Sequence, residues 1–188
     1  MQTRMRIGLD FDGVIIDHHQ HKLRLAAERG YAFEPWQTNT NVMKTLMEVP
    51  EYRTLQDSLY NRLTLEAPPV AGALDTIAAI PAEFYIVCAR TPVNIRFAQE
   101  WLGKHRLYDI IPAERIFFCG TSEDKRGYCE RLGLQVFLDD KLGTLRVLPT
   151  RVQRFLFDDD GIAEKLEVGH DIEVVRSWDD FRRFAMGE

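Results

Sequence analysis

The feature that most constrains this chain is a set of short apolar runs in which apolar and polar residues do not alternate. The runs are Met5–Leu9, Phe84–Val87, Ile116–Cys119, Val136–Leu138, Arg154–Phe157 and Ile172–Val175. A strand with one wetted face reads as alternation at period two, whereas a strand covered on both faces does not. Between the runs lie helical patterns at about Val70–Ile80, Pro92–Leu102, Glu123–Leu132, Lys141–Leu148 and Trp178–Ala185. Ile95, Ala98 and Leu102 share one helical face, flanked by Phe97 and Trp101. Thr91-Pro92 offers an N-cap followed by proline at the first helical position. Glu123 and Asp124 after Ser122 suit a helix N-terminus, and Ser177 to Asp180 has the form of a capping box. Strands alternating with helices predict an α/β fold whose parallel sheet carries helices on both faces.

One stretch interrupts the alternation. Between Val14 and about Pro68 no strand pattern occurs. His21–Arg29, Trp36–Met47 and Tyr52–Leu65 read as helices, separated by the Gly30–Pro35 segment and by Pro50. Pro68-Pro69 and Gly72 mark the return to the sheet. The expected organisation is a core of residues 1–16 and 68–188, with residues 17–67 as a small helical cap inserted after the first strand. In open parallel sheets ligands bind beyond the carboxyl ends of the strands. An insert leaving from that edge would cover such a site as a lid.

If all strands run parallel, four chemical features converge on that edge. Asp10 and Asp12 close the first run and start on one side of the strand, since residues i and i+2 face the same way. Two like charges held this close suggest a bound cation. Cys88-Ala89-Arg90-Thr91 follows the second run, Thr121 to Lys125 the third, and Asp139-Asp140 closes the fourth. Two acid pairs and a lysine make a hard-cation site with a phosphate-binding group beside it. Mg²⁺ fits, because it takes oxygen ligands and keeps several waters.

The net charge is −5 without any Lys/Arg run, so a nucleic acid polymer is not an expected partner. A small phosphorylated metabolite is compatible with that charge, because a local basic group or a metal offsets it. Cys88, Cys119 and Cys129 form neither a CxxC pair nor a zinc spacing and read as reduced, buried thiols of a cytoplasmic protein. No apolar stretch approaches the roughly 20 residues of a membrane span, and the N-terminus lacks a signal-peptide core. The sequence does not specify the oligomeric state.

Asp10-Phe11-Asp12-Gly13-Val14 after a strand, a helical insert, Lys125 opening a later helix, and Leu138-Asp139-Asp140 after the next strand resemble the haloacid dehalogenase (HAD) superfamily in its phosphatase branch. The resemblance runs from about Met5 to Leu148. It implies a Rossmann-like parallel sheet and a Mg²⁺-dependent phosphoric monoester hydrolase. In that pattern Asp10 is the nucleophile that becomes an aspartyl-phosphate, and also a metal ligand. Asp12 protonates the leaving oxygen and then activates water, while its backbone carbonyl reaches the metal. Lys125 neutralises the phosphoryl group and restrains Asp10. Asp139 ligates the metal and Asp140 supports it. Cys88, Ala89, Arg90 and Lys125 form the phosphate-binding set.

Elementary chemistry asks for the same parts. A carboxylate attacks an anionic phosphate only where cations screen the repulsion and hold attack and departure in line. The second aspartate must be protonated in one step and basic in the next, so its pKa is expected to be raised by burial under the lid.

The chain departs from the pattern at Cys88, where the family usually has Ser or Thr; a thiol is a weaker donor. The Ala-Arg that follows resembles nucleotidase-like members, which makes nucleoside monophosphates one candidate substrate. Alternatives are a phosphomutase, C–P or C–halogen hydrolysis on the same fold, or a binding and regulatory module with little turnover. Lys22 and Lys44 of the insert are the only lysines there that phosphonate chemistry could use. Asp158-Asp159-Asp160 reads as an acidic turn. His18, His19 and His21 read as a solvated helix start, and Trp36, Tyr52 and Tyr60 as packing of the insert.

Overall fold

A computed structural model describes residues 4–188. In chain order the elements are β1 (Arg6–Leu9), α1 (His19–Ala27), α2 (Thr40–Leu46), α3 (Val49–Leu59), α4 (Ala73–Ala79), β2 (Glu83–Ala89), α5 (Pro92–Lys104), β3 (Ile116–Cys119), α6 (Lys125–Leu132), β4 (Val136–Asp139), α7 (Leu142–Val147), β5 (Gln153–Phe157), β6 (Ile172–Val175) and α8 (Trp178–Met186). The strands form one sheet in the order β3-β2-β1-β4-β5-β6, with every neighbouring pair parallel. This is the α/β, Rossmann-like architecture that the runs predict. No helix among the described residues is long and apolar enough to cross a membrane.

The absence of alternation has its cause in the packing. Ile7, Leu9, Phe84, Ile86, Cys88, Val136 and Leu138 face one apolar cluster with α4, α5 and α8, while Tyr85, Val87 and Phe137 face another with α6 and α7. Gly8 lies in β1 beneath the Phe137 ring. A Cβ there would come within 2.4 Å of Phe137, so the close approach requires glycine. The order of strands reverses direction between β1 and β4, and such a switch point opens a crevice at the carboxyl edge. Asp10 N donates to Leu138 O at 2.9 Å, which brings the ends of β1 and β4 together there.

The insert carries its own small core of Leu25, Ala26, Met43, Met47, Leu55 and Leu59. Its helices are more broken than expected. The Trp36–Met47 pattern divides into a 3₁₀ turn (Pro35–Thr38) and α2, because Asn39 leaves helical geometry and its side chain accepts from Asn41 N at 3.0 Å. The Tyr52–Leu65 pattern likewise divides at Asn61 into α3 and a 3₁₀ turn (Arg62–Glu66). Pro50 is not a separator. It lies in the first turn of α3, where its missing N–H costs nothing. The expected Ser122 cap shifts to Asp124, which exchanges hydrogen bonds with Thr121.

The two ends of the insert are pinned. The Trp178 indole donates to Val14 O and the Trp101 indole to Ala67 O, each at 2.8 Å. Asp17 N donates to Pro68 O at 2.9 Å and Val70 N to Ile15 O at 2.8 Å, so the outgoing and returning chains run side by side.

Candidate functional site

Asp10 and Asp12 follow β1, Asp139 ends β4, Asp140 follows it, and Lys125 opens α6; the parallel topology brings all five to one edge. The Lys125 ammonium, 1% exposed, lies 2.9 Å from Asp10 Oδ1 and 2.7 Å from Asp139 Oδ2. Burial alone would pull its pKa down, but the two carboxylates outweigh that and hold it charged. Burial pushes the Asp10 carboxyl up to about 6; Lys125 opposes the rise, and Asp139 and Asp12 add to it. Burial raises Asp139 and Asp140 as well.

The carboxylate oxygens of Asp10, Asp139 and Asp140 lie within 4.8 Å of one another. Lys125 is shared by two of them, and the Asp140 carboxylate makes no hydrogen bond among the described residues. Lys125 pairs with two of the three buried carboxylates, whereas Lys22 and Lys141 act on Asp140 without forming an ion pair with it, and oxygen donors in this arrangement suit a hard divalent cation. Gly13 makes room for the third. Its φ is +83°, and a Cβ there would come within 2.6 Å of Asp140 Oδ2.

Asp12 has a different environment from the one expected. Arg90 forks onto it, Nε to Oδ2 at 2.9 Å and Nη2 to Oδ1 at 2.5 Å. His18 Nε2 lies 2.8 Å from Oδ1, and the Cys88 thiol donates to Oδ2 at 3.4 Å. Burial would raise the Asp12 carboxyl, but Arg90 and then His18 overcome it and hold the group well below the usual carboxylate range. The expected rise is therefore reversed, because burial arrives together with a paired guanidinium.

Arg90 does not stand free as a phosphate donor. Its remaining donor, Nη1, reaches Tyr60 O at 3.3 Å, Thr64 Oγ1 at 3.2 Å and Asn94 O at 3.5 Å. Its guanidinium lies 4.9 Å from the Tyr60 ring centre and 5.3 Å from that of Phe11. Cys88 belongs to β2 rather than following it, and burial keeps its thiol protonated.

Asp10, Asp12, Asp140 and Lys125 line an enclosed cavity of about 20 Å³, together with Gly13, His18, Lys22, Thr40, Tyr60, Ala89, Ser122 and Lys141. That is room for about one water, so the insert is closed over the site. Ala89 is thus placed as expected. His18 is not solvated: it is 1% exposed and packs edge-on against Tyr60. An ionised Asp12 can only accept, so Nε2 carries the His18 proton, while Nδ1 is buried without a partner among the described residues. Of the two insert lysines, Lys22 lines the cavity and Lys44 is exposed. Asn41 joins insert to core, donating to Asp140 O at 2.8 Å and accepting from Leu142 N at 3.0 Å.

Asp158-Asp159-Asp160 is more than a solvated turn. Asp158 is buried and accepts from Ile162 N and Ala163 N at 2.7 and 3.0 Å. His19 Nδ1 lies 3.3 Å from Asp160 Oδ1 and its Nε2 3.8 Å from Asp159 Oδ1. Opposite ring nitrogens therefore face different carboxylates, contacts that tie α1 to the loop after β5. All three cysteines are free and buried.

No family model matches the sequence, and no curated protein gives a significant match. Solved structures do. A haloacid dehalogenase-like protein of unknown function from Agrobacterium tumefaciens superposes with a TM-score of 0.68 at 14% identity, covering 98% of this chain and 100% of its own. A HAD hydrolase from Bacillus subtilis, bound to magnesium, gives 0.64 at 15%, covering 98% and 99%. A HAD family hydrolase from Deinococcus radiodurans, with bound phosphate and sodium, gives 0.62 at 15%, covering 100% and 97%. Dehalogenases are also among the matches. At these identities the likeness establishes the fold: the chain has the haloacid dehalogenase-like fold.

Proposed function

We propose that the chain is a Mg²⁺-dependent phosphomonoesterase that carries the phosphoryl group transiently on Asp10. The observation that carries this reading is the Asp10 carboxylate paired with Lys125 and facing the hydrogen-bond-free carboxylate of Asp140 across a closed cavity. Phosphate in the Deinococcus structure and magnesium in the Bacillus structure lend support for substrate class and metal. Residues 17–67 act as the cap, which must open to admit substrate because the cavity is too small for a phosphoryl group.

Asp10, Asp139 and Asp140 would hold the cation, which supplies charge neutralisation for the transferring group. Asp10 attacks phosphorus, the P–O bond to the leaving group breaks, and an acyl phosphate forms on the Asp10 carboxylate. Lys125 screens the phosphoryl charge and keeps Asp10 aligned. Ser122 and the backbone at Ala89 line the side from which phosphate oxygens can be held. In the closed arrangement Asp12 is ionised, and the Arg90 fork that keeps it so also makes it a weak base. Donating a proton to a leaving oxygen, and then taking one from the water that cleaves the acyl phosphate, both require Arg90 to loosen its fork first. The test is hydrolysis of an aryl phosphate with Mg²⁺, abolished by EDTA and restored by added Mg²⁺; turnover that persists in EDTA would count against the reading.

The acid cluster gives a second expected outcome. Burial raises Asp10, Asp139 and Asp140, Asp10 to about 6, so the folded protein holds their protons to higher pH than the unfolded chain does. Without a divalent cation their contribution to stability is full below the ordinary carboxylate pKa and is lost as pH rises above it, for Asp10 through about 6. Mg²⁺ binds the ionised form and offsets that loss. In thermal denaturation, Mg²⁺ relative to EDTA is expected to raise the midpoint more at pH 7 than at pH 5. An equal rise at both pH values would show that these carboxylates do not hold the ion.

A further inference from the structure

Outside the cavity, the seam between insert and core opens into a groove of about 650 Å³, within the size range of small-molecule sites. Asp57, Asn61 and Arg62 line it from the insert side, and Thr91, Val93, Asn94, Arg96 and Phe97 from the start of α5. Its charge is one-sided. Arg62 and Arg96 form no ion pair among the described residues, and Asp57 is the single acid against them. Arg96 lies over the Phe97 ring, 4.6 Å from its centre, so a guanidinium and an apolar surface are offered together. The floor is the N-terminus of α5, a helix of 13 residues whose N-cap, Thr91, makes no side-chain cap. Pro92 has no N–H and Asn94 N donates to Thr91 O at 2.9 Å, so this end favours an anion through the helix dipole.

The observation that points to a ligand is Asn94. It is 7% exposed, lines the groove, and its side-chain amide makes no hydrogen bond among the described residues, while its backbone N–H donates to Thr91 O and its carbonyl accepts from Arg90. The amide is reached from the groove alone, so a ligand entering it can take the amide as a partner in place of water. The groove lies next to the carboxylate site, on the far side of Arg90. Arg90 is the partition between them, holding Asp12 with two donors and reaching Tyr60 O and Asn94 O with the third.

From this we infer that the groove is a binding subsite for a small molecule that joins an apolar body to a carboxylate or phosphate. The acidic group meets Arg62, Arg96 and the α5 N-terminus, Asn94 supplies a hydrogen bond, and Val93 and Phe97 take the apolar part. The ligand is either the leaving group of the substrate or a separate small acid. The first assignment rests on the phosphatase reading, and the second does not.

Calorimetric titration with terephthalate, which has no phosphoryl group, tests the subsite itself. The wild type is expected to bind it, and the Arg62→Ala/Arg96→Ala variant, altered only at exposed side chains, to bind at least tenfold more weakly. No binding, or equal binding by both proteins, overturns the proposal. Turnover then separates the two sources. A kcat/KM preference for 4-carboxyphenyl phosphate over phenyl phosphate, lost in the variant, assigns the acid to the substrate. Terephthalate binding that alters turnover of phenyl phosphate, without such a preference, assigns it to a separate ligand. If neither ester is hydrolysed but terephthalate still binds through the arginines, the subsite stands and the phosphatase reading fails.

Discussion

Asp10→Asn is expected to lower hydrolysis of aryl phosphates by roughly 10⁴-fold or more, the scale of losing a group on which the chemical step depends. The amide has nearly the shape of the carboxylate but cannot form an acyl phosphate. The fold should survive. Phe11 N can still donate to the side-chain oxygen, as it does at 2.8 Å, and Lys125 keeps Asp139 at 2.7 Å. At pH 7 the substitution also removes a carboxylate that burial disfavours, so the melting temperature should not fall. Acid quenching during turnover is expected to trap a hydroxylamine-labile phosphoenzyme in the wild type and none in the variant. A variant retaining more than about one per cent of the activity would place the nucleophile elsewhere.

Arg90→Met is expected to cost about 3–5 kcal/mol of folding stability, the usual penalty for leaving half of a buried ion pair. The loss falls on Asp12, left with His18 and the Cys88 thiol as partners. It also falls on Tyr60 O and Thr64 Oγ1, which Arg90 reaches across the seam. Arg90→Lys should recover little, because one ammonium cannot fork onto both Asp12 oxygens and still reach the insert. Arg90→Met/Asp12→Asn should recover much of the stability by removing the stranded charge. Urea denaturation of the four proteins reads this directly. If Arg90→Met alone lies within about 1 kcal/mol of wild type, the pair is not the structural clasp that its geometry indicates.

The positions of Asp10, Asp12, Lys125 and Asp139 could be read from the sequence because each is fixed by the end of a strand or the start of a helix. Parallel topology then brings all such ends to one edge. The environment of Asp12 could not be read in this way. Arg90 looks like a loop residue after a strand, and His18 like a polar helix start, until the insert folds back and brings Tyr60 and Thr64 against them. The breaks at Asn39 and Asn61 were hidden for a similar reason. Apolar spacing continues through both, and only the asparagine side chains, accepting from Asn41 N and Leu63 N, divert the backbone. Asn94 gives no sequence signal at all, since a polar residue in the first turn of a helix is ordinary until its burial is known.

The paired chains at the root of the insert bear on how the site opens. With Asp17 bonded to Pro68, Val70 to Ile15, and an indole anchored at each end, the connection is a short two-stranded neck rather than two loose tethers. Besides the Arg90 clasp, the insert is held down over the carboxylates by single polar contacts such as those of Asn41 and His19. If the proposed phosphatase reading holds, opening would break the polar rim and the Arg90 contacts while the neck stays intact, so the insert would swing as one piece and substrate entry would change its distance from the sheet edge rather than its internal order.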